Sequence, residues 1–599
     1  MAQYKAPLRD ITFVRSELFK MEEFYQSTDR WNEVGQDLTS AIADECAKFS
    51  ENVISPLYSS GDSEGCRLID GEVKTPTGFK EAYQQYVEGG WTSLEGPEEY
   101  GGQGLPSGVS IAVTEMIGTA NWAWSMYPGL SHGASCTIEK HGTEEQKSMF
   151  LGKLIEGSWT GTMCLTEPHC GTDLGLLRTK AQPNDDGTYS ISGTKIFISS
   201  GDHDLAENIV HVVLARLPNA PKGTKGISLF IVPKFQVDSS GNLGQRNNVN
   251  CGSLEEKMGI HGNATCLLNF DGAKGYLIGP ENRGLNCMFT FMNTARIGTA
   301  VQGLAHAELA YQNSLAYASE RLQMRAMSGA VAKDKEADPI IVHPDVRRML
   351  LTQKVFAEGG RMLVNWVTLL SDKLSLAEGD DAKDQDDLLS LLTPIAKAFM
   401  TETGFEAANL GMQVFGGHGY IREWGMEQNV RDSRISMLYE GTTGIQALDL
   451  LGRKILLKGG KPLTQLLAII GGFCEEHKDN AEMEEFIAPL QDLVGQWGEL
   501  TMQLGALAME NPDEINAACV DYLMFSGYVC YAYLWAKASA LSLAELAAGN
   551  SDKDFYQGKL YSAQFYYQRI LPRTDALKRT MMSGVKSLLD KDFDPFYTR

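Results

Sequence analysis

The stretch RDSRISMLYEGTTGIQ, residues 431–446, places the carboxylate of Glu440 at the end of a short apolar run. Burying a charged carboxylate is costly, so an apolar setting raises its pKa and makes it a stronger base. Gly441 follows directly, and a residue without a Cβ lets a ligand approach the backbone closely. Thr442 and Thr443 then offer hydroxyl groups for hydrogen bonds. On these residues alone, an exposed glutamate that opens a turn is the simpler interpretation, and a buried base is the alternative.

Length and composition indicate a large globular chain. Its 599 residues exceed a single hydrophobic core, so several packed regions are expected. The net charge of −23 disfavours nucleic acid as a partner, because phosphates are neutralised by basic surfaces. No apolar run reaches about 18 residues, so no transmembrane segment is predicted. Neither end carries a recognisable targeting sequence.

The cysteines and histidines predict neither disulfides nor a metal site. Eleven cysteines are scattered along the chain without a C-x-x-C pair, and ten histidines include no H-E-x-x-H pattern. Such usage is typical of buried, reduced thiols. We therefore expect a cytoplasmic protein that holds no metal ion.

The period of the apolar residues changes twice along the chain and predicts an α+β protein with segregated domains. The alternating segments GTMCLTEP, TYSISGTKIFISS, NIVHVVLARLP, KGISLFIVPKF and TCLLNFDGA are typical of strands, and helical patterns lie before and after them. The predicted domains are N-terminal helical (1–160), central β (161–276), helical with Glu440 (277–457) and extra C-terminal helical (458–599).

Finer patterns predict individual helices and their connections. Residues 109–142 are apolar on nearly all sides and predict a buried helix pair, and Thr143 is expected to cap the next helix. The charged segments 328–339 and 377–387 are expected to be solvated connections. Pro394 is expected in the first turn of its helix, where a missing N–H has no cost.

A second stretch, MCLTEPHCGTDLGLLRTKA (163–181), gathers polar groups at the exit of a predicted strand. Thr166, Gly171, Thr172 and Asp173 expose hydroxyl and backbone N–H groups that suit a flat polar ring or a phosphate. An ordinary Asx-type turn is the alternative. Because no G-x-G-x-x-G follows a strand, a nucleotide cofactor would not be held by a Rossmann turn.

Four motifs together resemble the acyl-CoA dehydrogenase family. TEPHCGTD (166–173) is similar to its T-E-P-x-x-G-[ST]-D motif, and KIFISSG (195–201) resembles its K-x-W-I-[TS]-x-G strand. QVFGGHGYIRE (413–423) resembles its Q-x-x-G-G-x-G-Y signature, and residues 431–446 resemble its R-D-x-R-I-x-x-I-Y-E-G-T-x-x-I-Q segment. The four occur in the family's order and spacing and cover roughly residues 80 to 455.

The resemblance implies a fold and a reaction. The fold would be an N-terminal helical domain, a small β barrel and a four-helix domain, with FAD between them. The reaction would be α,β-dehydrogenation of an acyl-CoA thioester to the trans-2-enoyl-CoA. Glu440 would remove the α-proton, and flavin N5 would take the β-hydride. The thioester oxygen would be held by the Glu440 backbone N–H and a ribityl hydroxyl of the flavin.

The resemblance also implies which residues contact ligands. Phe197 stands where the family usually has Trp against the flavin ring, and Ser199 where a hydroxyl reaches N5. Arg321 and the 413–417 turn match positions that reach the FAD of a neighbouring subunit. The implied cofactor-binding residues are Met163, Leu165, Thr166, Gly171, Thr172, Phe197, Ser199, Arg321, Gln413, Gly416, Gly417, Thr442 and Gly444. The implied substrate-binding residues are Thr172, Asn293, Arg296, Tyr439 and Gly441.

The chain departs from ordinary family members by continuing for about 140 residues after the Glu440 segment. In this it resembles the large bacterial members, which include 3-(methylthio)propanoyl-CoA dehydrogenases as well as short-, medium- and long-chain fatty acyl-CoA enzymes. The resemblance implies electron-transfer flavoprotein as the electron acceptor and a homodimer, with a tetramer still open. An acyl-CoA oxidase that uses O2 and a non-catalytic family member are the alternatives.

Overall fold

The computed structural model describes residues 3–590 and Phe596. The chain forms two compact units: Met1–Ala6 with Ala41–Gly298, and Pro7–Ser40 with Thr299–Arg599. No helix among the described residues is long and apolar enough to cross a membrane. The four-domain division, with boundaries after residues 160, 276 and 457, stays a prediction.

The elements follow the predicted order of helices, strands and helices. The α-helices are α1 Leu8–Thr12, α2 Met21–Gln26, α3 Gln36–Phe49, α4 Leu57–Glu64, α5 Phe79–Glu88, α6 Ser107–Ala120, α7 Trp122–His141, α8 Glu144–Glu156, α9 Gly284–Glu320, α10 Pro344–Leu376, α11 Gly379–Val414, α12 Met426–Arg434, α13 Thr443–Leu448, α14 Lys461–His477, α15 Glu484–Glu510, α16 Asp513–Ala547, α17 Lys553–Phe565 and α18 Arg573–Met581. The strands are β1 Arg67–Ile69, β2 Glu72–Lys74, β3 Trp159–Cys164, β4 Lys180–Pro183, β5 Tyr189–Ser199, β6 Asn208–Ala215, β7 Ser228–Pro233, β8 Phe235–Val237, β9 Leu243–Arg246, β10 Val249–Leu254 and β11 Thr265–Ile278.

The first unit is centred on one sheet in the order β3-β6-β7-β11-β5-β4, with β10 also paired to β11. β6 and β7 are buried along their whole length, as expected for the apolar runs NIVHVVLA and SLFIVP. The sheet closes where β4 meets the end of β6, because the Ala181 N–H donates to the Arg216 carbonyl at 2.8 Å. The Arg216 N–H in turn donates to the Thr179 carbonyl at 2.9 Å. The predicted small barrel is thus confirmed.

The helices before the sheet form as predicted. α6 and α7 are the buried pair expected over 109–142, and the Asn121 side chain caps α7 by accepting from the Trp124 N–H. Thr143 caps α8 in a capping box with Gln146. One feature was missed, since β1 and β2 form an antiparallel hairpin within the region predicted to be helical. Three-residue strands are too short for an alternating pattern to be recognised.

The second unit packs the C-terminal extension against α11. The middle of α16 is apolar and buried, and it contacts α11 where Phe399 meets Gly527. A Cβ on Gly527 would lie 2.2 Å from the Phe399 ring, so only glycine admits the ring there. The Phe399 ring also packs edge-on against Tyr528 and Tyr531, each with ring centroids 4.9 Å apart.

A buried charge network joins α1 to the extension inside the same unit. Asp10 forms ion pairs with Arg361 on α10 and with Lys559 on α17. Arg361 also donates to Glu308 at 2.8 Å. Burial acts to raise the pKa of Asp10, but the two cations outweigh it and hold that pKa well below its usual value. The segment Pro7–Ser40, which carries α1, is therefore a structural part of the second unit.

The start of α11 differs from the prediction. The acidic segment 377–387 was expected to be a connection, but α11 begins at Gly379 and includes most of it. Pro394 consequently lies inside the helix rather than in its first turn. Asp380 and Asp381 occupy the true first turn, where carboxylates interact favourably with the positive end of the helix dipole. The charged composition was mistaken for a loop because it has no apolar stripe. The other connection, 328–339, is irregular as predicted.

Candidate active site

Glu440 lies in a strained bend between two helical segments. The backbone leaves α12, makes a single helical turn over Ile435–Met437 and then adopts φ +56° at Glu440 and +89° at Gly441. A residue with a side chain loses about 1–2 kcal/mol in this left-handed region. Thr442 then caps α13 by accepting from the Ile445 N–H at 3.3 Å. The Glu440 side chain is half-buried rather than enclosed in an apolar core.

Two buried side chains hold the carbonyl groups around this bend. The Lys397 ammonium on α11 donates to the Ser436 carbonyl at 2.8 Å and to the Gly441 carbonyl at 2.6 Å. The Gln446 amide donates to the Glu440 carbonyl at 2.9 Å. Lys397 and Gln446 are both fully buried. A Cβ on Gly441 would lie 2.5 Å from the Gln446 amide nitrogen, so glycine is required both by φ and by space.

A polar network on α9 holds Tyr439, the residue before Glu440. The Tyr439 hydroxyl donates to the Gln302 side-chain oxygen at 2.5 Å, and the Gln302 amide donates to the Asp432 carbonyl at 3.3 Å. His306, one turn further along α9, bonds the Asn429 side chain at 2.7 Å. Burial lowers the pKa of His306 to about 4, against the opposing effect of that hydrogen bond. The imidazole is therefore neutral near pH 7.

The second candidate loop, residues 165–172 in the first unit, is held by another buried lysine. Lys195 on β5 is fully buried and donates to the Leu165 carbonyl and to the Glu167 carboxylate, both at 2.9 Å. The Glu167 carboxylate also accepts from the Thr179 hydroxyl at 2.6 Å and the Arg178 N–H at 2.7 Å. Burial acts to raise the pKa of Glu167, but Lys195 and these hydrogen bonds outweigh it and lower that pKa.

A β-bulge turns one aromatic ring of β5 toward solvent. Between the pairs Lys195–Leu268 and Ile198–Cys266, β5 has one residue more than β11. Phe197 lies in this bulge with φ +57° and with 59% of its surface exposed. Bulges recur beside active sites, where they redirect a side chain. An aromatic ring held outward by strained backbone offers a flat stacking surface for a ligand.

The other predicted residues of the first unit lie before and after Phe197 in the sequence, and their side chains differ in exposure. Met163, Leu165, Thr166 and Ser199 are half-buried, whereas Gly171 and Thr172 are exposed at the outer part of the loop. On α9, Asn293 is exposed and Arg296 is buried. The loop therefore presents hydroxyl groups close in sequence to apolar side chains, which suits a ring with one polar edge.

The predicted residues of the second unit fall into two groups. Tyr439, Glu440, Gly441, Thr442 and Gly444 belong to the bend, which α9 contacts at Gln302. Arg321 follows the end of α9, Gln413 lies in the last turn of α11, and Gly416 and Gly417 follow that helix; all four are exposed. Tyr317 links these two ends by bonding His418 at 2.9 Å and stacking on Phe415. From Gln302 to Tyr317 is about 22 Å along the helix axis, so the groups suit different parts of a ligand or two ligands.

Sequence reasoning missed the residues that hold these loops. Lys195 and Gln446 lie at the ends of two of the quoted motifs, but the motifs assigned them no role, and Lys397 and Gln302 lie outside all four motifs. The available signal was a lysine beside or inside an apolar run: Lys195 directly precedes the apolar residues of KIFIS, and Lys397 lies inside PIAKAF. Lysine is rarely fully buried unless its ammonium is bonded, so such a position indicates a polar partner inside the fold.

Four family models match the chain in succession. They are Acyl-CoA dehydrogenase, N-terminal domain over residues 37–158; middle domain over 162–273; C-terminal domain over 282–456; and Acetyl-CoA dehydrogenase C-terminal like over 466–592. The last match covers most of the extension.

Known proteins match over nearly the whole length. A 3-methylmercaptopropionyl-CoA dehydrogenase of Ruegeria pomeroyi is 41% identical and covers 98% of this chain and 99% of its own. A butyryl-CoA dehydrogenase of Syntrophomonas wolfei is 34% identical over 99% of each chain. The crystal structure of Caenorhabditis elegans ACDH-11 in complex with C11-CoA covers 99% of this chain and 96% of its own with a TM-score of 0.74; at 20% identity it is evidence for the fold alone.

Proposed function

The chain belongs to the acyl-CoA dehydrogenase family, and we propose that Glu440 is the base with which it oxidises an acyl-CoA thioester between Cα and Cβ. As a family member it is a flavin-dependent oxidoreductase with FAD as its cofactor. The observation that supports the role of Glu440 is the bend itself. Two buried side chains hold the backbone of Glu440 in a strained, left-handed conformation, so the position of its side chain is set in advance. Such strain is typical of functional sites.

The residues present fit a flavin. Phe197 supplies an exposed aromatic face for the ring system, and Ser199 lies two residues further along the same strand. Thr166 and Thr172 supply hydroxyl groups for a polar ring edge. Phenylalanine keeps the stacking surface of the family's usual tryptophan but lacks the indole N–H. We propose that Met163, Leu165, Thr166, Gly171, Thr172, Phe197 and Ser199 contact the flavin, together with Thr442 and Gly444.

The chemistry divides between cofactor and chain. Bound FAD supplies the hydride acceptor, N5, for the hydrogen that leaves Cβ. Glu440 accepts the proton from Cα, and general-base catalysis of this kind contributes about 10²–10⁴-fold. Gly441 leaves space for the thioester because no Cβ projects there. The backbone N–H of Glu440 is the proposed donor to the thioester oxygen, where negative charge develops. Thr172, Asn293, Arg296 and Tyr439 are proposed substrate contacts.

The substrate we propose is a short acyl-CoA of the 3-methylmercaptopropionyl type. The 41% identity to an enzyme of that name, over nearly both whole chains, supports it. A linear fatty acyl-CoA is the second candidate, because a butyryl-CoA dehydrogenase is 34% identical over the same span. The test is kcat/KM for a panel of acyl-CoAs, from short to long and including the methylthio compound, with an artificial electron acceptor. A preference for long chains would contradict the proposal.

We propose electron-transfer flavoprotein as the acceptor of the electrons. An oxidase would instead release peroxide in air, so peroxide formed in step with substrate consumption would contradict this assignment. A homodimer is proposed because Arg321, Gln413, Gly416 and Gly417 lie far along α9 and α11 from the bend and suit the FAD of a second copy. The setting we propose is the bacterial cytoplasm, which fits eleven cysteines that are all free.

A further inference from the structure

We propose that Lys397 is a positioning residue for the reaction, because its buried ammonium holds the backbone on both sides of Glu440. The inference rests on the proposed role of Glu440 as the base. Lys397 touches neither substrate nor cofactor in this proposal, and it acts only through the bend that carries the carboxylate.

The geometry of the ammonium supports this role. Its bonds to the Ser436 and Gly441 carbonyls enclose the segment in which Glu440 lies, and both distances are short, at 2.8 and 2.6 Å. Bonds from a charged donor are stronger than neutral ones. The side chain is fully buried, so water does not compete for the ammonium. One side chain thereby ties the bend to the middle of α11.

The backbone of the bend needs such a restraint. Glu440 adopts φ +56°, which a residue with a side chain leaves readily unless the surroundings hold it. Without Lys397, the Ser436 and Gly441 carbonyls would lose their charged donor, and the segment from Leu438 to Gly441 could relax toward ordinary φ. The carboxylate would then move relative to the position set by Tyr439 and Gln446.

α11 itself is firmly anchored in the second unit. Phe399, two residues after Lys397, inserts against Gly527, and Glu406 pairs with Arg573 of α18 at 2.7 Å. The ammonium is therefore fixed by a helix that is packed on the C-terminal extension. This gives the extension a defined part in the site: it supports the helix that supports the base.

The test compares Lys397→Met with the wild-type holoenzyme. Methionine retains the length of the side chain and removes its charge and donors. We expect FAD content to be unchanged, KM for the acyl-CoA to change less than about threefold, and kcat to fall about 10²-fold, the size of loss that a displacement of about 1 Å produces. The isotope effect on kcat with α-deuterated substrate should increase, because proton removal becomes more rate-limiting.

Two controls separate positioning from general damage. Tyr25→Phe removes a buried hydrogen bond to Asp372, 2.7 Å long, elsewhere in the same unit. It should lower the melting temperature and leave kcat and the isotope effect unchanged. Lys397→Arg keeps a charged donor and should show a kcat between those of Lys397→Met and the wild type. If Lys397→Met does not fold, a lower kcat with a larger isotope effect in Lys397→Arg supports the positioning role, and a lower kcat with an unchanged isotope effect overturns it.

The outcomes are distinct for the two proposals. Wild-type kcat in folded Lys397→Met, or a lower kcat with an unchanged isotope effect, would overturn the positioning role while leaving Glu440 as the base. If instead Glu440→Gln is fully active, the proposed function itself fails, and Lys397 has no base to position.

Discussion

Each of the two candidate loops is held by a buried lysine, but the two lysines bond to different groups. In the first unit, Lys195 is buried beneath the 165–172 loop and precedes Phe197, which has φ +57°. In the second unit, Lys397 is buried beneath the bend of Glu440, which has φ +56°. Lys195 shares its charge with the Glu167 carboxylate, whereas the bonds of Lys397 to the bend go to backbone carbonyls. Each candidate loop with a strained residue is thus bonded by a buried lysine.

The different bonding partners of Lys195 and Lys397 indicate different roles for the two lysines. An ion pair with several further hydrogen bonds holds the first loop, which suits its proposed part as the support of the flavin ring. The bonds of Lys397 to carbonyls hold the backbone of the second loop on both sides of Glu440. We therefore expect damage to Lys195 to weaken folding and flavin binding, and damage to Lys397 to slow the reaction.

The largest expected effect on stability follows removal of Lys195. Lys195→Met leaves Glu167 as a buried carboxylate without its cation, and breaking a buried pair in this way costs about 3–5 kcal/mol. Thermal unfolding and FAD content after gel filtration measure the effect. The matched variant Lys195→Met/Glu167→Met removes both charges and should recover much of the stability. Equal FAD loss in Lys195→Met and Lys397→Met would contradict the division of tasks.

Acidification should weaken the second unit through His306. Its pKa is lowered to about 4 in the folded state, so the unfolded chain binds a proton from about pH 6.5 downward while the folded chain does not. The stability contributed by the neutral imidazole is present above pH 6.5 and decreases as pH falls to 4, by up to about 3 kcal/mol. Urea unfolding at pH 7 and pH 4.5 measures it. In His306→Asn this component of the pH dependence should disappear; an unchanged difference would contradict the assignment.

The smallest of these effects is expected at Gly441. In Gly441→Ala the new Cβ would lie 2.5 Å from the Gln446 amide nitrogen, and the alanine would have to adopt a left-handed φ. We expect the free energy of unfolding to fall by about 1–3 kcal/mol. Gly444→Ala is the matched control, since its Cβ would meet nothing closer than the Thr442 hydroxyl at 4.0 Å. Melting temperatures of the two variants without ligand compare them. Equal losses would show that the bend at Gly441 is not tightly held.

The sequence predicted the fold where pattern and local chemistry agree. The apolar run of β6, the buried pair α6 and α7, and the Thr143 cap were all found, because each follows from residues adjacent in sequence. The start of α11 was misjudged, because an acidic segment without an apolar stripe is compatible with a loop or an exposed helix turn. Tertiary packing determines which of the two forms, and packing is not visible in the local sequence pattern.

The motifs of the candidate site could be predicted from the sequence, but the residues that hold its loops in place could not. Glu440, Phe197 and the 165–172 loop were reached through four family motifs. Their left-handed backbone could not be predicted, because neither glutamate nor phenylalanine favours positive φ. Lys195, Lys397 and Gln446 act through contacts between residues that are from 6 to 44 positions apart, and a single sequence does not record such contacts.

The most direct test of the central claim uses Glu440→Gln and anaerobic mixing with the preferred acyl-CoA. Glutamine has nearly the same shape as glutamate but cannot accept the α-proton. The variant should fold, retain FAD and bind acyl-CoA, while bleaching of the flavin absorbance slows by at least about 10²-fold relative to the wild type. Bleaching at the wild-type rate in the folded, FAD-containing variant would show that Glu440 is not the base.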